Sequence, residues 1–129
     1  MWLFIDTSAH GAIRLGLISG ERQNVKTFAG RSGGLLTLVQ KQVGLARLQR
    51  VQGICVVAGP GSFSAVRSGV LAANLLARLL KKKLIGVYLE QAQNLKQLMA
   101  QITQGELAPT DFVAPIYTSE PNITRPRIE

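Results

Sequence analysis

Two short polar stretches carry the residue types best suited to holding an anion. Asp6-Thr7-Ser8 follows the apolar run of residues 2–5, and a turn beginning at Gly59 follows the apolar run of residues 54–58. A glycine-rich turn between a strand and a helix places free backbone N–H groups at the positive end of the helix dipole. The sequence therefore predicts a weak phosphate- or nucleotide-binding site, with a plain strand-to-helix junction as the alternative. Its residues are Asp6, Thr7, Ser8, Gly59, Gly61 and Ser62.

The residues of this turn favour a tight bend followed by a helix. Gly59 and Gly61 tolerate backbone angles that other residues avoid, and the ring of Pro60 fixes its own φ. Ser62 or Ser64 is expected to cap the following helix by accepting a bond from a backbone N–H. The turn is not a Walker A loop, because no lysine follows Gly61 at the required spacing.

Residues for acid–base, nucleophilic or metal chemistry are sparse. The sequence has seven acidic residues, and of these only Asp6 stands at a strand end beside a loop suited to binding. With one histidine, His10, and one cysteine, Cys55, the usual nitrogen and sulfur ligands of zinc are too few for a site within this chain. Cys55 lies in an apolar strand pattern, where a thiol is a poor nucleophile. We expect no catalytic residues and no metal.

Composition indicates one globular domain. The chain has 129 residues, of which 47% are hydrophobic and 17% charged. The single cysteine is typical of a reducing compartment, and the first residues lack the basic start of a signal peptide. Asn74 and Arg78 interrupt the longest apolar run, which we judge too short and too polar to span a membrane. We expect a cytoplasmic protein without membrane contact.

The apolar periodicities alternate between strand and helix after an initial pair of strands that form a hairpin. This order predicts an α/β protein with a mixed five-stranded sheet and helices packed on it, arranged β-β-β-α-β-α-β-α. The predicted strands are residues 2–5, 13–18, 24–28, 54–58 and 84–88, and the predicted helices are residues 35–45, 63–80 and 90–103.

The helix over residues 63–80 is apolar around almost its whole circumference, so it should be buried on more than one side. Either the preceding helix covers its second side, or a partner protein does. A strip of small residues at helical spacing, Gly69, Ala72, Ala73 and Ala77, favours close approach of another helix. The predicted partner interface consists of Leu35, Leu38, Val39, Phe63, Val66, Gly69, Val70, Ala73, Leu76 and Ala77.

The formal net charge of +8 makes nucleic acid or an acidic partner plausible. One alternative function is therefore a basic RNA- or tRNA-binding module. Its cations would be Arg31, Arg47, Arg50, Lys81, Lys82 and Lys83. The lysines also fit a simpler role, because cations at a helix C-terminus complement its dipole.

Four segments resemble one known family. The turn Gly59-Pro60-Gly61-Ser62-Phe63-Ser64-Ala65-Val66-Arg67 resembles the GPGSF-[ST]-G-[LV]-R signature of the bacterial TsaB family, also called YeaZ. Ile5-Asp6-Thr7-Ser8 is similar to its opening IDTS, and residues 84–87 to its IGV segment. Residues 114–117 are similar to a P-[VI]-Y segment near its C-terminus. The first three matches span roughly residues 1–103 in the family's order.

The resemblance implies an actin-like, ribonuclease-H-like lobe over residues 1–103. Residues 104–129, which contain several prolines, would then be a remnant of the family's second lobe. It implies a non-catalytic scaffold for the transferase TsaD, which works with the ATPase TsaE to place a threonylcarbamoyl group on the adenosine beside a tRNA anticodon. ATP would be handled by these partners, so no cofactor is expected here. The family also self-pairs through the face that binds TsaD, and tRNA contact would come through the complex.

The chain departs from the family pattern in three places. Most of the second lobe is absent, which weakens any expectation of an interlobe nucleotide site or of a TsaE contact that uses that lobe. Arg31-Ser32-Gly33 stands where the family often has His-Ser-Glu, and Ala65 where it usually has Gly. The remaining alternative is a small actin-like phosphotransferase, which needs a second acidic residue near Asp6.

Overall fold

The computed structural model describes residues 1–117. The tail predicted from Glu120 onward lies outside the described residues. The strands are β1 (Trp2–Asp6), β2 (Ala12–Ile18), β3 (Gln23–Ala29), β4 (Gly53–Gly59) and β5 (Lys83–Tyr88). The helices are α1 (Leu35–Gln42), α2 (Leu45–Leu48), α3 (Phe63–Leu80) and α4 (Leu95–Thr103).

The five strands form one mixed sheet in the order β3-β2-β1-β4-β5. β2 pairs antiparallel with both β1 and β3, whereas β4 pairs parallel with β1 and β5. The predicted fold class is confirmed, including the hairpin of β2 and β3, and β1 and β4 are neighbours in the sheet. We call the edge where β1, β4 and β5 begin the amino edge, and the edge where they end the carboxyl edge.

Two apolar layers cover the two faces of the sheet. Alternate side chains of β1 and β4 point to opposite faces, as the two-residue period of a strand requires. Leu3 and Ile54 join the layer under α1, α2 and α3, while Phe4 and Cys55 join the layer under α4. Because both faces of the central strands are covered, β1 and β4 are buried along their whole length, which explains their uninterrupted apolar sequences.

Two predicted helices are shorter than expected. The helix over residues 35–45 ends at Gln42, because Gly44 takes a φ of 85° before the separate turn of α2. The helix over residues 90–103 is divided into a 3-10 turn, Gln91–Gln93, and α4. Asn94 divides them with an extended backbone, and its side chain accepts a 3.0 Å bond from the backbone N–H of Gln97.

An extended C-terminal segment, residues 107–117, returns across the face that carries α3. The Asn74 side chain donates to the backbone carbonyl of Val113 and accepts from its backbone N–H, both at 2.9 Å. The Val113 side chain is buried against Gly86, where a Cβ would come within 2.6 Å of it. Farther along, the N–H of Ile116 donates to the carbonyl of Ala58. The segment therefore completes the packing of this face.

Among residues 1–117, α3 is the one helix long and apolar enough to cross a membrane by length and composition. The prediction that this region is too short and too polar for that purpose considered only part of the helix. A core helix of a globular domain meets the same criterion, and Val66, Val70 and Ala73 on α3 are fully buried against the sheet.

Candidate functional site

The two predicted anion-binding stretches meet at the carboxyl edge. Thr7 donates its hydroxyl to the backbone carbonyl of Ala65 in the first turn of α3, at 2.8 Å. A Cβ on Gly61 would lie 2.6 Å from the carbonyl oxygen of Ser8, so only glycine fits beside this loop. Gly69 is equally constrained, because a Cβ there would overlap the Thr7 side chain. The glycines therefore permit close packing between the loop after β1 and α3.

Asp6 is fully engaged by its own surroundings. One carboxylate oxygen accepts bonds from the N–H of Ser8 at 2.9 Å and from its hydroxyl at 2.6 Å. The other forms an ion pair with Arg14 at 3.1 Å. Arg14 also donates to the carbonyl of Ala92 and lies over the Phe4 ring. Asp6 thus links the loop after β1 to β2, and the guanidinium of Arg14 compensates its negative charge.

The C-terminal segment lies directly on the Gly59–Ser62 turn. Gly59 has a φ of 127°, and a Cβ there would overlap the carbonyl oxygen of Ile116. Gly61 and Tyr117 form an isolated parallel β-bridge. The Tyr117 ring packs on Phe63, with ring centroids 4.5 Å apart. The turn is therefore packed against residues 116 and 117.

Ser62 stands at the N-cap position of α3 but does not cap it through its side chain. Its backbone carbonyl accepts from the N–H of Val66, while its buried hydroxyl has no hydrogen-bond partner within residues 1–117. The expected serine cap is wrong for this residue, and Ser64 makes no side-chain cap either, since it lies inside α3.

An open cleft of about 500 Å³ lies beside the predicted site. It is bordered by the loops after β1 and β3 and by the first turns of α3. His10, Arg31, Ser64 and Ser68 contribute polar groups to it. Of the six residues predicted to bind phosphate, only Thr7 borders this cleft, and its hydroxyl is already bonded to Ala65.

Most of the predicted interface residues face this chain's own core. Leu38 and Leu76 are partly buried, and Phe63 is exposed. The small-residue strip points inward as well, since Gly69 meets Thr7 and its alanines pack on the sheet. The buried residues of the predicted interface are held by contacts within the lobe and are not accessible to a partner in the folded chain. The buried members are Leu35, Val39, Val66, Gly69, Val70, Ala73 and Ala77.

The outer face of α3 carries an apolar ridge that the sequence analysis missed. Leu71, Leu75 and Leu79 follow one another at four-residue spacing and are 49%, 46% and 69% exposed. Phe63 and Arg67 continue the same row toward the start of the helix. Side chains four residues apart form the ridges by which helices pack into one another's grooves. We call Leu71, Leu75 and Leu79 the leucine ridge; their spacing was a signal available in the sequence.

The remaining candidate groups are structural. Cys55 is fully buried, and burial raises the pKa of its thiol to about 12, so the reactive thiolate is scarce at neutral pH. Within residues 1–117, no group of three or more histidine, cysteine, aspartate or glutamate side chains is placed to hold a metal ion.

A mixed five-stranded sheet with helices on both faces, and with paired loops meeting at the carboxyl edge, defines a single lobe of the actin-like class. Residues 34–112 match the family model described as TsaD: tRNA N6-adenosine threonylcarbamoyltransferase, and the chain belongs to this family. Its fold is that of the YeaZ (TsaB) proteins, which confirms the resemblance drawn from the sequence.

Two solved structures show this likeness. They are "YeaZ from Pseudomonas aeruginosa" and an uncharacterized protein described as similar to peptidase YeaZ from the same organism. Each is 26% identical to this chain, with a TM-score of 0.59, and each match covers 81% of this chain. The match covers 49% of those proteins, so the chain spans about half their length. The search of curated proteins found no match.

Proposed function

We propose that this chain is a non-catalytic subunit in tRNA threonylcarbamoyladenosine modification and pairs with a TsaD-like protein. The leucine ridge is the observation that carries the proposal. The ridge lies on a helix whose other side is held rigidly on the sheet by Val66, Val70 and Ala73. Three exposed leucines in one row are suited to helix–helix packing, and the family match supplies the system in which such a partner works.

The state of the acidic residue supports a role other than catalysis. A general base needs a carboxylate that is available to accept a proton, whereas Asp6 is bonded to Ser8 and paired with Arg14. The Gly59–Ser62 turn is likewise occupied by residues 116 and 117. These contacts argue against the small actin-like phosphotransferase and favour a subunit whose partners, TsaD-like and TsaE-like, handle ATP.

Three further assignments belong to the same proposal. Self-pairing through the leucine ridge would compete with the TsaD-like partner, because both would cover the same side chains. Residues 104–129 would correspond to a segment of the family's second lobe, with residues 107–117 packed back onto the first lobe. The complex would act in the cytoplasm, where tRNA is modified.

The test is light scattering on a gel-filtration column, with the full chain alone and mixed with a TsaD-like protein from the same organism. Leu75→Glu places a carboxylate in the middle of the ridge without touching the core, since Leu75 is 46% exposed. Burying an unpaired charge at an interface costs about 3 kcal/mol, so we expect affinity to fall about 150-fold. A substitution at Ala73 is unsuitable, because that residue is fully buried and the lobe would unfold.

Ala100→Glu is the matched control, because Ala100 is exposed on α4, on the opposite face of the sheet. The proposal predicts a one-to-one complex that survives Ala100→Glu and is lost in Leu75→Glu. Absence of any complex, or a complex that Leu75→Glu leaves intact, would refute this interface. A homodimer that the Leu75→Glu substitution dissociates would assign the ridge to self-pairing.

A further inference from the structure

Cationic groups from three separate connections converge on the amino edge of the sheet. The strand registers align Ile18 with Gln23, Trp2 with Ile18, Gly53 with Trp2, and Lys83 with Gly53. This row crosses all five strands, so it spans about 19 Å at the usual spacing between strands. Each connection at this edge carries a cationic side chain. The groups are Arg22, Arg50, Lys81, Lys82 and Lys83.

Two hydrogen bonds hold this edge together. The Lys82 ammonium donates to the backbone carbonyl of Gln49 at 2.6 Å, which joins the connection before β5 to the connection before β4. The Met1 amino group donates to the Gln52 side chain at 3.0 Å, which joins the start of β1 to the same connection. Arg50 lies between these two anchored residues in the chain. The charges are therefore presented on fixed backbone.

These charges are not neutralised within the lobe. The one ion pair formed by residues 1–117 is that of Asp6 with Arg14, at the carboxyl edge. Glu21 lies in the hairpin turn, and Asp111 borders the same shallow pocket as Lys82, but neither is within 4.0 Å of a cationic group. Arg22, Arg50, Lys81 and Lys83 are exposed. The amino edge is thus an open positive strip.

We propose that the amino edge binds the phosphate backbone of RNA, with tRNA as the RNA concerned. Lysines and arginines spaced along an edge match a chain of phosphates, and contacts to phosphates carry no sequence information. The contact would therefore position RNA without reading its sequence. The choice of RNA over other polyanions rests on the proposed function, because the matching family is described by its tRNA substrate.

The strip is contiguous with the proposed partner surface. α3 ends at Leu80, Lys81 follows it directly, and Leu79 is the last member of the leucine ridge. A protein docked on the ridge would border the strip, so RNA held by that protein could extend across the amino edge. Arg31, which the sequence analysis grouped with these cations, lies at the carboxyl edge in the cleft beside His10. That grouping was wrong because β3 ends at the opposite edge.

The opposite edge supplies a control with the same change in net charge. The test variant combines Arg50→Gln, Lys81→Gln and Lys83→Gln. The control variant combines Arg31→Gln, Arg67→Gln and Lys96→Gln, which are exposed residues near the carboxyl edge. Lys82 is left in place in both, because its bond to Gln49 is structural. Equal thermal unfolding temperatures would show that neither variant disturbs the fold.

Binding of an unmodified tRNA transcript to the full chain is measured by fluorescence anisotropy from 50 to 200 mM salt. Each lost phosphate contact makes the slope of log K against log salt shallower by about 0.7 to 0.9, so the test variant should lose about 2 to 3. The control should keep the wild-type slope and affinity. Vesicles with anionic lipid serve as the competing polyanion.

Equal losses in the two variants would overturn the proposal, since binding would then follow net charge alone. Absence of tRNA binding by the wild-type chain would overturn it as well, as would tighter binding to the vesicles that the test variant abolishes. Formation of the complex with the TsaD-like protein is measured separately, by light scattering with the Leu75→Glu variant. Failure of the RNA contact is therefore distinguishable from failure of the proposed function.

Discussion

Asn74 is predicted to hold the C-terminal segment on the lobe. Its side-chain amide makes two 2.9 Å hydrogen bonds with the backbone of Val113, one as donor and one as acceptor. A third bond, to the carbonyl of Val70 in its own helix, orients the amide. Asn74→Ala removes all three. At a net value of about 1 kcal/mol for each bond to Val113, attachment of the segment weakens by about 2 kcal/mol.

The assay is native-state hydrogen exchange. The amide of Ile116 is protected by its bond to Ala58, which the substitution leaves in place, so it should exchange about 30-fold faster in the variant. Core amides in β1 should exchange as in the wild-type chain, because the segment opens without unfolding the sheet. Asn24→Ala is the matched control, since the Asn24 side chain is exposed and makes no hydrogen bond within residues 1–117.

Two results would refute this reasoning. Unchanged exchange at Ile116 would show that apolar packing of Val113 against Gly86 holds the segment without help from Asn74. Faster exchange throughout β1 would show that the segment and the sheet open together as one cooperative unit. The expected result would instead define residues 107–117 as a separately opening strap over the Gly59–Ser62 turn.

Three other substitutions test the packing of the lobe. Gly69→Ala should lower the free energy of unfolding by about 1 to 3 kcal/mol in urea titrations because its Cβ overlaps Thr7, whereas Gly33→Ala, with open space around its Cβ, should not. Asp6→Asn should cost about 1 to 2 kcal/mol by thermal unfolding, since it breaks the ion pair with partly buried Arg14. The Cys55 thiol should resist aromatic disulfide reagents at pH 8 until the protein is unfolded. Its folded pKa of about 12 exceeds the ordinary 9.0, so the stability it contributes should fall as the pH rises above 9, and Cys55→Ala should flatten that decline.

Much of the lobe is determined by local sequence pattern. The uninterrupted apolar runs of β1 and β4 predict central strands covered on both faces, and the order of periodicities predicts the mixed sheet. The turn beginning at Gly59 predicts a strand-to-helix junction, because its glycines are unfavourable inside a continuous strand or helix. The predicted helix bounds were wrong at Gly44 and Asn94. At each position the non-helical backbone of one residue ends the helix, although the helical spacing of apolar residues continues past it.

Orientation about the α3 axis was decided by tertiary structure alone. The sequence shows a helix that is apolar nearly all round, and periodicity cannot say which side the sheet will cover. Because Gly69 packs closely on Thr7, the small residues of α3 face the core. The hydrogen bonds between Asn74 and Val113 hold the C-terminal segment on a second side of the helix. The leucine ridge is the apolar row that remains in solvent along the rest of the helix. Most of the predicted interface is buried because it consists of the residues best suited to close packing, which pack within the lobe itself.

The same division applies to the charges and to the predicted anion site. The sequence establishes that the chain is strongly basic, but strand register decides that Lys83 and Arg50 share an edge while Arg31 lies at the other. The two polar loops of the predicted anion site lie close together because they follow β1 and β4, which are neighbours in the sheet. The turn beginning at Gly59 is covered because the N–H of Ile116 donates to the carbonyl of Ala58. These residues are far apart in the chain, so no local sequence pattern predicts the contact.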